Sequence, residues 1–353
     1  MRQKRNRMAV NRNHLEKQMY EAIDNWQGKK VVLLGDMIAD EYLYGEINRI
    51  SREAPVFIIE YDHHDYCPGG AGNTALQIKA LGGEPIPIGV IGDDEEGEIL
   101  LDYFNKRKII TDFIIKSSLP TIKKTRVIAG SAHSVRQQIL RIDKGRKNSN
   151  NTEIQNDLLE RLNSLLPGAH SVVISDYGYG FADATFIQKI LDISKKMDKI
   201  TVADSRYQIL DFKGVYAATP NEPEVEAALR LYVNEDNAKL ETAGFTILSL
   251  LNCNLLLITR GKKGMALFEP DKKMELIDIF GTDQIVDVTG AGDTVLGTFA
   301  LSLSANASPL ISAKLANYAG GVVVMKRGTA QASLAELKFS IKKDFEEWEL
   351  SSK

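Results

Sequence analysis

Asp287-Val288-Thr289-Gly290-Ala291-Gly292-Asp293-Thr294, running into the apolar stretch Val295-Leu296-Gly297-Thr298-Phe299-Ala300-Leu301, is the most informative segment of the chain. Gly290, Ala291 and Gly292 let backbone N–H groups come close to a ligand. The positive end of the following helix lies at the same place, so the segment reads as an anion site. Asp293 stands in that first turn, where a carboxylate would repel a bound phosphate. The two features agree if Asp293 takes a proton from an attacking hydroxyl while the amides stabilise charge developing on a transferred phosphoryl group. The competing reading is a favourable first-turn acid beside a tight turn. No G-K-[ST] follows, so this is not a Walker A loop, and no G-x-G-x-x-G opens the first βα turn after Val31.

Upstream, short apolar runs alternate with helical stretches. The runs are Val31 to Leu34, Ile86 to Ile91, Val172 to Ile174, Ile200 to Ala203, Val215 to Ala218 and Leu255 to Ile258. Helical patterns lie near Asn73–Leu81, Glu96–Phe104, Ile154–Leu166, Thr185–Lys195, Glu222–Leu231 and Asn237–Leu251. This alternation predicts an α/β fold with a mostly parallel sheet covered on both faces. Residues 42–61 and 113–142 break the rhythm with β-branched runs and no helix between them, and are expected to form a small projecting sheet. Residues 1–28 read as an N-terminal extension with a helix from His14 to Trp26, 29–345 as the main domain and 346–353 as a tail. Arg146 to Asn151 reads as a polar surface loop.

The chain has 353 residues, 44% hydrophobic and 26% charged, which suits a folded globular protein. Its net charge is -3 and its pI about 6.0, so there is no overall basic field to hold nucleic acid or an anionic membrane, and a small molecule is the expected partner. Cys67 and Cys253 form neither a disulfide framework nor a zinc motif. The basic start (Arg2, Lys4, Arg5, Arg7) is not followed by an apolar signal core, and no long apolar run could span a bilayer, so a cytoplasmic location is expected. His63-His64 has no further ligand nearby in sequence and reads as exposed.

The octet resembles the C-terminal D-x-T-G-A-G-D signature of the ribokinase-like, or phosphofructokinase-B-type, sugar kinases. The resemblance implies a three-layer αβα sandwich with a small β-sheet lid, Asp293 as catalytic base, and Gly290, Ala291 and Gly292 as anion hole. Gly35-Asp36-Met37-Ile38-Ala39-Asp40 resembles the family's N-terminal signature, with Asp40 matching the acid that binds sugar hydroxyls. Gly69-Gly70-Ala71-Gly72-Asn73 resembles G-G-x-x-N, whose Gly69, Gly70 and Asn73 would line the sugar pocket; a loop with Asn73 as helix cap is the plainer reading. Asn221-Glu222-Pro223-Glu224 resembles N-x-x-E, which implies that Glu224, through water and with Asn221, orients Mg2+; the same residues suit a capping box. Thr259, Gly261 and Gly264 resemble the nucleotide-side loop, and Asn317 a position near the adenine. ATP and Mg2+ are thus the implied cofactors, with a monovalent cation beside the anion hole.

Asn48-Arg49-Ile50-Ser51-Arg52-Glu53-Ala54-Pro55-Val56 is similar to the R-I-S-x-E-A-P-V of bacterial D-glycero-β-D-manno-heptose-7-phosphate kinases, which act at O1 on the way to ADP-heptose. Lys124-Thr125-Arg126-Val127, Ser175-Asp176-Tyr177-Gly178 and Lys326-Arg327-Gly328-Thr329 agree with them. Asp176, Arg126 and Arg206 are the implied substrate-binding residues, with Arg49 and Arg52 as further cations. Two departures stand out. Tyr179 takes the place of a lysine in S-D-Y-x-K-G, and Asp204-Ser205-Arg206-Tyr207 replaces D-P-K-G, so a planar guanidinium stands for a compact ammonium. Too few residues follow Gly328 for the nucleotidyltransferase fused to some of these kinases, so a stand-alone kinase is expected. A nucleoside kinase, with Tyr42 and Tyr44 flanking a base, and a non-catalytic sugar sensor remain open. A homodimer is expected, because a projecting sheet with apolar strands needs covering.

Overall fold

Val31 and Leu33 enter one apolar layer and Val32 and Leu34 the other, as the period of two requires of a strand buried on both faces. In the computed structural model, which describes residues 2–131, 134–145, 151–234, 236–281 and 286–351, this strand lies inside a large sheet. In chain order the elements are α1 (Arg2–Asp24), β1 (Lys30–Gly35), β2 (Met37–Ile50), β3 (Phe57–Gly70), α2 (Ala71–Ala80), β4 (Glu84–Gly92), α3 (Glu95–Lys106), β5 (Ile114–Ser117), β6 (Ile122–Gly130), β7 (Gln137–Lys144), α4 (Thr152–Leu165) and β8 (Ser171–Asp176). There follow α5 (Ala184–Lys196), β9 (Ile200–Ser205), β10 (Ala217–Ala218), α6 (Glu222–Leu229), α7 (Asn237–Leu251), β11 (Leu255–Thr259), β12 (Met265–Phe268), β13 (Glu275–Ile277), α8 (Ala291–Ser304), α9 (Pro309–Val323) and α10 (Leu334–Ser351).

Among the described residues the large sheet has nine strands in the order β13-β12-β11-β10-β9-β8-β1-β4-β5, parallel from β11 to β5 and antiparallel at β12 and β13. One face is covered by α1, α2, α8, α9 and α10, the other by α4, α5 and α7, which makes the expected three-layer sandwich. A second sheet, β3-β2-β6-β7, projects from it. Helix starts are capped by short polar side chains, with Asp94 accepting from Gly97 N, Asp183 from Phe186 N and Ser308 from Ile311 N.

Three boundaries differ from expectation. Residues 114–117 of the 113–142 stretch pair with β4 in the large sheet, because Ile114 is buried there, so the second lid segment starts only at Ile122; its partner hairpin extends to 37–70. The supposed tail is the end of α10, which is helical to Ser351. The N-terminal extension is packed into the core, with Met19, Ile23 and the fully buried Trp26 in one apolar layer and Arg12 bound to Asp344 at 2.7 Å. Its opening basic side chains, and residues 146–150 of the polar loop, lie outside the described residues. His63 and His64 are about half exposed, His63 stacking on Tyr44 at 4.5 Å.

Replacing a fully buried tryptophan by alanine loses its apolar transfer energy and leaves a cavity. Trp26→Ala is expected to destabilise the fold by about 3–5 kcal/mol, read by chemical denaturation; an unchanged midpoint would mean that α1 is only an appendage.

Candidate active site

The site is assembled from four elements at one end of the large sheet. Gly290 precedes α8 with φ 77°, a left-handed conformation that glycine adopts without strain, and a Cβ there would run into the Asn73 side-chain amide. This contact brings α8 against α2. Asn73 is the third residue of α2, where Gly70 is the N-cap, so its side chain is free of capping and donates from Nδ2 to Asp293 Oδ2 at 3.1 Å. From the loop after β8, the Tyr177 hydroxyl donates to Asp293 Oδ1 at 2.9 Å. Asp293 is 2% exposed, and burial pushes its carboxyl up to about 7, with the nearby Asp40 charge adding to the rise and Asn73, Tyr177 and Lys124 opposing it.

Of the expected triplet, Ala291 N–H is engaged by Val288 O at 3.2 Å, while the Gly290 and Gly292 amides, like that of Asp293, keep no hydrogen-bond partner among the described residues. Asp287 closes the loop by accepting from Thr289 N and Gly328 N, both at 2.9 Å.

β2 and β6 run parallel, pairing Asp40 with Lys124 and Tyr42 with Arg126, so these four residues share one face. Arg126 Nη1 donates to Asp40 Oδ1 at 2.7 Å, and Thr329 Oγ1 to Asp40 Oδ2 at 3.2 Å. Gly69 on the neighbouring β3 leaves the room that the Asp40 carboxylate occupies, since a Cβ there would collide with it. Asp176 is engaged within its own loops, accepting from Ser205 Oγ at 2.6 Å, Gln208 Nε2 at 2.9 Å and Gly178 N at 3.0 Å. Arg206 is exposed at the end of β9.

On the other side of Asp293, Thr259, Gly261, Gly264 and Asn317 line a cleft together with Ala291 and Gly292. Asn317 is oriented by donating to Asp278 O at 2.8 Å. Asn221 and Glu224 do form the capping box of α6: Asn221 Oδ1 accepts from Glu224 N at 2.8 Å and Glu224 Oε2 from Asn221 N at 2.9 Å. Glu224 also acts on Asp204; burial, then Glu224, Asp293 and Asp176, drive the Asp204 carboxyl well above its usual range. Among the described residues no group of three or more His, Cys, Asp or Glu is gathered closely enough to hold a metal ion directly.

Sequence reasoning missed Lys124, Tyr177, Asp204 and Thr329 as site residues. All four lay inside quoted motifs without being singled out; for Lys124 the i, i+2 spacing to Arg126 on a strand was the available signal, whereas the partners of Asp204 and Tyr177 come from distant segments.

The fold is that of ribokinase-like phosphotransferases. The chain matches the model of the pfkB family carbohydrate kinases over residues 29–336 and belongs to that family. It is 36% identical over 311 residues to the bifunctional protein HldE of Desulfatibacillum aliphaticivorans, covering 88% of this chain and 62% of that one. The HldE of Pseudomonas savastanoi pv. phaseolicola is 37% identical over 315 residues, covering 89% and 64%. The chain thus spans less than two thirds of these relatives. Phosphofructokinase-2 from Escherichia coli shares the fold at TM-score 0.76 and 17% identity, over 90% of this chain and 99% of that one. Ribokinase from Arabidopsis thaliana does so at 0.68 and 18%, over 90% and 99%. No helix among the described residues is long and apolar enough to cross a membrane.

Two outcomes follow from this geometry. The Asp293 carboxyl is expected to titrate near pH 7 in the free protein, well above an ordinary carboxyl, in a carbon-detected NMR titration that Asp293→Asn abolishes; titration near pH 4 would contradict the buried site. Gly69→Ala displaces Asp40, so sugar affinity is expected to fall by roughly 10-fold or more, the scale of one hydrogen bond to a charged group, in an acceptor KM measurement that leaves the ATP KM in place.

Proposed function

We propose that the chain is an ATP-dependent kinase that phosphorylates O1 of D-glycero-β-D-manno-heptose 7-phosphate in the formation of ADP-heptose. The observation that carries phosphoryl transfer is Asp293, a desolvated carboxylate held by two neutral donors beside the unpaired amides of a helix start. Asp293 removes the proton of the attacking hydroxyl, and Asn73 and Tyr177 keep its oxygens in place. Asp40, itself oriented by Arg126 and Thr329, accepts from neighbouring sugar hydroxyls. The Gly292 and Asp293 amides stabilise charge on the transferred group.

The cleft at Thr259, Gly261, Gly264 and Asn317 receives the nucleotide. The raised carboxyls of Asp204 and Glu224 fit Mg2+ held through water with Asn221, and the metal when bound neutralises phosphate charge. The resemblance adds a monovalent cation by the anion hole. The heptose acceptor is supported by Asn48 to Val56 and by the relatives reported above. Nucleoside stacking finds little support: Tyr42 is buried and hydrogen-bonded to Thr329, and Tyr44 stacks on His63.

The small sheet acts as a lid that excludes water from the transfer. Its exposed Phe57, Tyr61, Leu140 and Ile142 support a homodimer in which two lids cover each other. A cytoplasmic enzyme completes this reading.

Screening ATP consumption across sugars, sugar phosphates and nucleosides is expected to single out the heptose 7-phosphate. Asp293→Asn is expected to lower kcat by roughly 10²-fold or more with little change in ATP binding. Because the base must be ionised, kcat/KM is expected to fall as pH drops through about 7. Near wild-type turnover by Asp293→Asn would remove Asp293 from the mechanism, and a nucleoside as best acceptor would overturn the substrate.

A further inference from the structure

Two cations project from β6 on the acceptor side, and they are in opposite electrostatic states. Arg126 is already neutralised: its guanidinium and the Asp40 carboxylate are 9% and 5% exposed and 2.7 Å apart, with the Tyr42 ring 5.2 Å below. Recruiting Arg126 to a second anion would strip Asp40 of its partner. Lys124 is 5% exposed and makes no hydrogen bond or ion pair among the described residues. Its ammonium rests on two aromatic faces, 4.4 Å from the Tyr177 ring centroid and 5.4 Å from that of Tyr179. Cation–π contacts return less than withdrawing an ammonium from water costs. The Lys124 ammonium is therefore buried with no counter-ion in contact among the described residues.

The surroundings say what the counter-ion is. Burial depresses the Lys124 pKa first, and of the charged neighbours Arg206 depresses it further, while Asp40, Asp293 and Asp143 act from beyond ion-pair distance. Asp40 is already held by Arg126 and Thr329, and Asp293 by Asn73 and Tyr177, so neither carboxylate pairs with the Lys124 ammonium and a bound anion is the partner it can take. Tyr177 sets the location, since its hydroxyl is on Asp293 and its ring face lies under Lys124. The anion thus sits one phenol ring away from the base, too far to be attached at the reacting hydroxyl. Tyr179, in place of the lysine of heptose kinases, supports the Lys124 ammonium with its ring and ties its hydroxyl to Asp143 at 3.3 Å.

We propose that Lys124 binds a phosphate monoester carried by the acceptor at the end remote from the phosphorylated hydroxyl, and so selects phosphorylated over unphosphorylated sugars. This rests on the phosphosugar reading above and replaces Arg126 as the residue that reads the phosphate. Arg126 is a positioning residue for Asp40.

The test compares kcat/KM for D-glycero-β-D-manno-heptose 7-phosphate and for the unphosphorylated heptose at saturating MgATP, in the full chain. Lys124→Gln is expected to lower the ratio of the two by roughly 10- to 100-fold, the scale of one charge-assisted hydrogen bond, through the acceptor KM, and Lys124→Arg to restore part of it. Inorganic phosphate is expected to compete with the phosphosugar in the wild type and far less in Lys124→Gln. An equal loss for both sugars would overturn the proposal while leaving the phosphosugar reading intact. A wild type that does not discriminate between the two sugars would overturn both. Should the glutamine variant fail to fold, Lys124→Met, apolar and of similar length, reads the same ratio.

Discussion

A carboxylate can be kept inside this protein without a cation touching it because two uncharged donors from different parts of the chain fix both of its oxygens. Asn73 comes from α2 and Tyr177 from the loop after β8. Gln331 in turn donates to Asn73 Oδ1 at 3.0 Å, and Asp36 accepts from Tyr177 N at 2.8 Å. The buried network is therefore satisfied on several sides, which is the condition under which polar groups hold an interior geometry instead of loosening it. Gly290 is what lets the helices meet closely enough for this, and no side chain fits between it and Asn73.

The small sheet applies the period of two to opposite purposes on its two faces. Lys124 and Arg126 turn to the acceptor, while Lys123 and Thr125 turn to a separate cluster in which Glu41 accepts from Thr125 at 2.5 Å and from Tyr66 at 2.8 Å. Lys123 lies between Glu41 at 3.4 Å and Glu96 at 2.7 Å, linking the sheet to the first turn of α3. The sheet is thus anchored at its base, and its far strand β7 is exposed along its whole length. An element fixed at one edge and uncovered at the other is suited to swing over a site or to receive a second copy of itself.

Two carboxylates on the acceptor wall are compensated within the chain. Asp40 has Arg126 and Thr329, Asp176 has Ser205, Gln208 and the Gly178 amide, and both are complete without ligand.

Asn73 was joined to Asp293 only by resemblance to the sugar-kinase motifs, whereas the parallel sheet, its helical cover and the second sheet were legible in the sequence, because hydrophobic periodicity is a local property. The same holds for Asn221 and Glu224, three residues apart on one helical turn. Which of two neighbouring cations is free was not legible: Arg126 and Lys124 are equivalent in spacing, and only the approach of Asp40 from β2 distinguishes them. The assignment of residues 114–117 to the large sheet, the burial of Trp26 and the union of Asn73, Tyr177 and Asp293 likewise depend on contacts between distant segments. Pattern along a chain determines which residues face inward; pairing among those that do is settled only when the chain has folded, by distance and the cost of an unpartnered charge.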